Sequence, residues 1–283
     1  MSKIVDTVIL NNEIDLLELR CKIMGDKVDR IVVVESDHTF TGKPKAYNLE
    51  RELSRFDQWK DKLVYLKVKN ENPSRRSWDN EHWQRDQMNQ GWTDLGDEDV
   101  IIMGDLDELV RPAAIDLIRN TNYALYHLHM PTSYFRFNYM DLHSHYSPWV
   151  KAVRGYQLSG SRMRTLPNVP NGVTVKVHHA GWHFSWLGDD EFVKEKLRSF
   201  SHTEFDTDAI HTNLNIEEHI KNGDDHLMRG HTTWRIVDID DYFPKEILEN
   251  KEQYKNLILP NSGINIRDYW KNGMLEIEEV PVG

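Results

Sequence analysis

The chain has 283 residues, of which 35 are Lys or Arg and 46 are Asp or Glu, giving a formal net charge of −11 with 39% apolar and 29% charged residues. This is the balance of a folded chain rather than a disordered one, and its sign argues against a general nucleic-acid surface or attachment through anionic lipid. No apolar run approaches the roughly 20 residues of a membrane span, MSKIVDTVIL lacks the layout of a secretion signal, and the single cysteine, Cys21, cannot form an internal disulfide, so a reducing, cytoplasmic setting is expected.

In chain order, VDTVIL (5–10) predicts a strand, and Asn12 predicts a helix cap with Asp15 at the third position. The helix runs to about Gly25, with Cys21 on the face of Ile14, Leu17 and Met24. The β-branched run RIVVVES (30–36) and then LVYLKV (63–68) predict further strands, the first of them buried on both faces. SWDNEHWQRDQMNQGW (77–92) predicts a helix and DVIIMG (99–104) a fourth strand, an order that implies a doubly wound parallel sheet. Beyond Pro112 a short helix precedes YALYHLHM (123–130) and SYFRFNYM (133–140), two strands of a mixed sheet. Residues 155–173 are rich in Gly, Pro, Ser and Asn and predict a loop. DDEFVKEKLRSFSH (189–202) predicts a helix with acids at its start and bases near its end. The remainder is expected to be helical and loop-like.

The informative stretch is VIIMGDLDELVRP (100–112), an apolar strand followed by three acids within four positions. In an open parallel sheet, ligands bind beyond the carboxyl ends of the strands. Asp105 and Asp107, two apart, point the same way on extended chain. Two oxygen ligands without a nearby cysteine favour a hard cation, Mn²⁺ or Mg²⁺; the alternative is a pair of solvated acids capping the next helix.

Several segments together resemble glycosyltransferase family 17: NNEIDLLELR (11–20), VVVESDHTFTGKPK (32–45), WDNEHWQRD (78–86), GDLDEL (104–109) and GWHFSW with KLRSFSH (181–202). The likeness spans roughly residues 5–205. It implies a glycosyltransferase A-type, Rossmann-like α/β fold: a mostly parallel sheet flanked by helices, a smaller mixed sheet and a helical C-terminal elaboration. One domain is expected, with a nucleotide-sugar half at about 1–110, an acceptor half at about 111–205 and the elaboration at 206–283. The implied activity is metal-dependent, inverting transfer of a sugar, by likeness N-acetylglucosamine from UDP-N-acetylglucosamine, to a glycan hydroxyl. Lacking the anchor of the animal members, the chain reads as a soluble microbial or viral relative.

Within that frame Asp107, and Asp105 directly or through water, would hold the cation, with His183 of HHAGWHFSW (178–186) completing its shell. Glu108 would orient the loop or the sugar. Glu35, Glu13 and Arg85 are candidates for the donor, Arg85 because a guanidinium suits a diphosphate. Each has a plainer alternative: a loop acid, a first-turn helix acid, and an ion pair between Arg85 and Glu81 four residues before it. Lys43 and Lys45 read as solvated. Trp182, Trp186 and Tyr134 are candidates to stack on acceptor sugar rings, with core packing as the alternative. Asp190 or Glu191 is the candidate base, with Glu204 in reserve. Two competing functions stay open: a metal-dependent hydrolase or nucleotidyltransferase, kept alive by the His127/His129 and His143/His145 pairs, and a non-catalytic sugar-binding relative.

Overall fold

The computed structural model describes residues 2–142, 147–155, 158–169, 172–227, 233–270 and 275–280; His143 and His145 lie outside the described residues, as do 156–157 and 170–171 of the predicted loop. Strand β1 (Ile4–Leu10) is buried along its whole length. It pairs in parallel with β2 (Arg30–Ser36) on one side and β4 (Val100–Met103) on the other. β3 (Leu63–Val68) continues the parallel arrangement beyond β2. β1, β2 and β4 are nearly continuous apolar runs, because a strand covered on both faces needs no polar alternation, whereas β3 at the sheet edge is only partly buried.

The chain next forms β5 (Glu108–Val110), β6 (Leu125–Met130), β7 (Thr132–Tyr134), β8 (Tyr139–Asp141), β9 (Ser147–Arg154), β10 (Thr174–His178), β11 (Gly181–Ser185), β12 (Trp234–Ile236) and β13 (Glu276–Glu279). The large sheet has the order β13-β10-β6-β9-β4-β1-β2-β3, and the small one β12-β8-β7-β11-β5. β9 runs antiparallel to both β4 and β6, and β13 antiparallel to β10, so the large sheet is mixed. The fold is α/β as expected. The region after 205 is not only helical: it supplies an edge strand to each sheet.

The α-helices up to residue 199 are α1 (Ile14–Met24), the short α2 (Asn48–Glu52), α3 (Ser77–Asp86), α4 (Pro112–Asn120), the short α5 (Gly160–Arg164) and α6 (Asp190–Ser199); α5 arises inside the predicted loop. α1 ends at Gly25 as predicted, but its cap position is Glu13 rather than Asn12, and no side chain caps it. The helix predicted over 77–92 breaks after Asp86 into a 3₁₀ segment, Gln87–Gly91. The strand predicted over 133–140 is two strands, divided where Phe135 takes a left-handed φ of 61°.

The strand order reverses between β1 and β4, and in such a sheet a ligand's crevice is expected beyond the strand ends at that point. Two glycines set its walls. A Cβ on Gly181 would lie 2.0 Å from the Leu109 carbonyl oxygen, and one on Gly160 would lie 2.3 Å from that of Arg85. β11 therefore closes on β5, and α5 on α3, only because these positions lack side chains.

His127 and His129 occupy alternate positions of β6, and the His129 ring lies 5.0 Å from that of His178 on β10. Burial, then Lys151, holds His127 down at about 4; burial, then His178 and His127, does the same to His129, and burial with Arg111 does so to His179. This cationic setting does not suit a metal site, so the first H-x-H pair gives no support to the hydrolase reading. An unfolded histidine titrates near 6.5, so between about 6.5 and 4 the unfolded chain binds more protons and stability rises with pH. The melting temperature is expected to fall from pH 7 to pH 4.5, and to fall less in a His127→Gln/His129→Gln variant. Equal pH dependence in the two proteins would contradict this assignment.

Candidate functional site

The acid loop 104–108 leaves β4 and enters β5. Its backbone is fixed by Arg20, on the face of α1 that also carries Leu17 and Met24. The Arg20 side chain is 1% exposed and donates through Nε and Nη2 to the two carboxylate oxygens of Asp6 on β1, at 2.7 and 2.6 Å. Its Nη1 donates to the carbonyls of Glu108 at 2.6 Å, Asp105 at 3.2 Å and Leu106 at 3.4 Å. The Asp107 carbonyl accepts from the Phe184 N–H of β11 at 2.8 Å. With its carbonyls held by these donors, the loop sets its carboxylates against a ring of cations.

Asp105, with its side chain about one third exposed (36%), accepts from Arg85 on α3 at 2.9 Å and from Arg164 at the end of α5 at 2.5 Å. Arg85 also donates to Glu81 at 2.7 Å, and its Nη1 is buried without a hydrogen-bond partner. Glu81 in turn accepts from the Ser201 hydroxyl. Glu108 is fully buried and accepts from Arg164 at 2.6 Å, the Asp105 N–H at 2.7 Å and the Ser147 hydroxyl at 2.9 Å. These bonds tie its carboxylate to the loop and to α5, and leave it no exposed face.

Asp107 accepts from Lys196 of α6 at 2.9 Å, and its other oxygen lies 3.6 Å from Nε2 of His183. The β5–β11 pairing sets this up by placing His183 opposite Glu108. Burial opposes ionisation of Asp107, but Lys196 and His183 outweigh it and hold the carboxyl far below the usual range. Burial likewise opposes charge on His183, and Asp107 outweighs it and raises the imidazole.

The donor set can be tested against a cation. Among the described residues no three His, Cys, Asp or Glu side chains converge as a ligand shell. Asp107 and His183 do converge. Two metal–ligand bonds of about 2.1 Å span up to about 4.2 Å, so one ion fits between atoms 3.6 Å apart and leaves its other positions for water or phosphate oxygen. Carboxylate with imidazole suits Mn²⁺ as well as Mg²⁺. Asp105 does not fit as a direct ligand, because guanidinium groups occupy both its oxygens.

Two cavities adjoin Lys196 and Glu13. One, of about 70 Å³, lies past the ends of β1 and β2 against Asn11, His38, Gln84 and Ser199. The other, of about 790 Å³, lies between α1, α6 and residues 254–259. Glu13 lines both; its Oε2 accepts from the Asn11 and Asn12 N–H groups, and among the described residues its other oxygen takes no hydrogen bond.

Other expected site residues are placed elsewhere. Glu35 is fully buried and accepts from Lys45, Tyr65 and the N–H groups of Asn48 and Leu49, so it anchors the start of α2 instead of a donor. Trp182 is buried, donates to the Tyr242 carbonyl and lies under Arg111. Trp186 is buried against Phe200 and His226, and Tyr134 against Trp234. None of the three offers a face to a sugar, because packing has covered all of them. Asp189 caps α6, accepting from the Phe192 N–H, while Asp190 accepts from the Ile216 N–H. Glu191 is exposed beside Lys194, and Glu204 beside His202. Lys43 is exposed, whereas Lys45 is paired with Glu35.

The model of glycosyltransferase family 17 matches residues 1–264. The chain belongs to glycosyltransferase family 17. It is 27% identical over 239 residues to the beta-1,4-mannosyl-glycoprotein 4-beta-N-acetylglucosaminyltransferases of Rattus norvegicus and Homo sapiens, and 26% identical to that of Mus musculus. The alignment covers 72% of this chain and 44% of each relative, so the chain matches less than half the length of these family members. The resemblance read from GDLDEL and the accompanying segments is borne out. Among the described residues, no helix is long and apolar enough to cross a membrane.

Arg164, Lys196, Arg20 and Asp6 escaped the sequence reading. An aspartate within an apolar strand and an arginine on the apolar face of a helix were signals for Asp6 and Arg20; Arg164, in an irregular segment, gave none. Breaking a buried ion pair by removing one partner costs about 3–5 kcal/mol. Arg20→Met is expected to destabilise the chain by about that amount in urea unfolding. A loss below about 1 kcal/mol, the size of an exposed pair, would contradict the loop's dependence on Arg20.

Proposed function

We propose that this chain is a glycosyltransferase of the A-type fold that moves N-acetylglucosamine from UDP-N-acetylglucosamine to a glycan hydroxyl, with inversion and with help from a divalent cation. The observation carrying this reading is the convergence of Asp107 and His183 at the strand-end crevice of a family 17 chain. The parallel order β3-β2-β1-β4 with the acids directly after β4 supports the A-type assignment.

Asp107 and His183 would hold the cation, which when bound supplies a Lewis acid to the leaving diphosphate. Arg85 and Arg164 neutralise Asp105 in the free protein and are suited to bind phosphate oxygens, since a guanidinium fork matches them in shape and charge. The buried Nη1 of Arg85 leaves that guanidinium one partner short, a deficit that a small shift toward a phosphate would remove. Lys196 couples the acid loop to α6, so displacing it from Asp107 by metal or phosphate would be felt along that helix.

Glu13 replaces Asp190 and Glu191 as the base in this reading. The base must lie within hydrogen-bond reach of the acceptor hydroxyl. Glu13 lines both cavities beside Lys196, whereas Asp190 is committed to Ile216 and Glu191 faces solvent. One carboxylate acting as base, with no protein nucleophile, gives inversion.

Asp107→Asn is expected to abolish transfer from UDP-N-acetylglucosamine while the far-ultraviolet circular dichroism stays that of the parent; an active, metal-responsive variant would sink the assignment. Glu13→Gln should lower kcat by about 10²–10⁴ with little change in the donor KM. If Glu13→Gln retains parental kcat while Asp190→Asn loses it, the base is Asp190.

A further inference from the structure

The cavity of about 790 Å³ is large enough for a whole ligand, since small-molecule sites run from about 300 to 1,000 Å³. Its chemistry differs from one end to the other. Glu13 and Lys196 line one part, and the Lys196 ammonium is bonded to Asp107, so this part adjoins the candidate reaction centre. The walls are Leu16 on α1, Phe137, Phe184, Phe192 on α6, Tyr254 and Leu257. Several charged side chains at the cavity already have partners: Arg136 donates to Glu217 and to the Gly188 carbonyl, Asp189 caps α6, and Asp15 is paired with Arg55. A purely hydrophilic glycan would lose water against the apolar walls, with hydrogen bonds offered mainly by Glu13, Lys196, Asn12 and Asn256. A ligand polar at one end and apolar along its length fits both parts.

Resting on the glycosyltransferase reading, we infer that this chamber is the acceptor site and that the acceptor is an amphiphile: a sugar joined to an alkyl or aromatic group, its hydroxyl presented at Glu13 and its apolar part laid along Leu16, Phe192 and Leu257. The donor then approaches from the opposite side of Lys196, where the smaller cavity meets the ends of β1 and β2. Transfer at this junction forms the new glycosidic bond as the sugar–phosphate bond breaks; the acceptor proton passes to Glu13, and the electron pair leaves with the diphosphate. The apolar group is held and takes no part in the bond changes.

The test uses matched probes, n-octyl β-D-mannoside below its micelle concentration and methyl β-D-mannoside, titrated calorimetrically into the whole chain with and without UDP. The octyl compound is expected to bind at least about tenfold more tightly than the methyl one, to bind alongside UDP, and to lose that advantage in both Phe192→Gln and Leu16→Gln, two variants on separate helices. Equal affinity for the two probes, an octyl preference untouched in both variants, or displacement of the octyl compound by UDP would overturn the inference. Donor turnover is measured separately. Octyl binding that depends on Phe192 and Leu16, together with no turnover of any nucleotide sugar, would uphold the amphiphile chamber and end the glycosyltransferase reading. Turnover without an octyl preference would do the reverse.

Discussion

A buried guanidinium organises this site before any ligand arrives. Arg20 is paired in a fork with Asp6 inside the protein, and its remaining nitrogen collects three carbonyls of the acid loop. The pair joins α1 to the central strand β1 and both to the segment that follows β4. Backbone oxygens held by Arg20 and by the Phe184 N–H set the carboxylates of Asp105 and Asp107 against the cations of α3, α5 and α6. A cluster of like charges is unfavourable on its own; here the loop geometry is fixed by one cation on the inside and tolerated because of others on the outside.

Those outer cations explain why three acids can sit together in the free protein. Asp105, Asp107 and Glu108 face the permanent charges of Arg85, Arg164 and Lys196, and His183 adds a fourth when protonated. The arrangement is close to neutral as it stands, so a metal-bound diphosphate does not enter an empty anionic pocket. In the proposed reading it would exchange with side chains already in place, the anionic ligand taking over the guanidinium and ammonium groups while a cation takes over Asp107. Around this point the end of α6 is tied down over the strand ends: the Ser199 hydroxyl accepts from Asn11, the Ser199 carbonyl accepts from the Phe40 N–H, and the Ser201 carbonyl accepts from Ser77. The cavity beneath, about 70 Å³, is smaller than a nucleotide needs. In the proposed reading, a donor entering there would have to move the end of α6, and Lys196 would link the two.

The parts of this architecture that were legible in the sequence share a physical cause. β1, β2 and β4 are buried on both faces, so each is a short apolar run with clear ends, and GDLDEL stood out because acids rarely follow such a run without a task. α6 was legible through its acidic start. What stayed hidden depends on contacts between distant segments. The three-residue β5 and the five-residue β11 are too short to carry a period, yet their pairing is what brings His183 to Asp107. Arg164 became a site residue because Gly160 lets α5 rest on α3. The tryptophans misled for the opposite reason: an aromatic ring serves equally in a core and on a sugar, and Trp182 and Trp186 went to the core. Glu35 was similarly drawn into the fold by two backbone N–H groups of α2.

The central claim is that Asp107 and His183 bind a diphosphate through a shared cation, and calorimetric titration of UDP into the parent chain and into His183→Gln tests it most directly. With Mn²⁺ present the parent should bind UDP, while with a chelator in place of the metal, or with His183→Gln at the same metal concentration, the affinity should drop at least about tenfold. UDP binding of equal strength in all three titrations would contradict the account and leave Arg85, Arg164 and Lys196 as the whole of the diphosphate site.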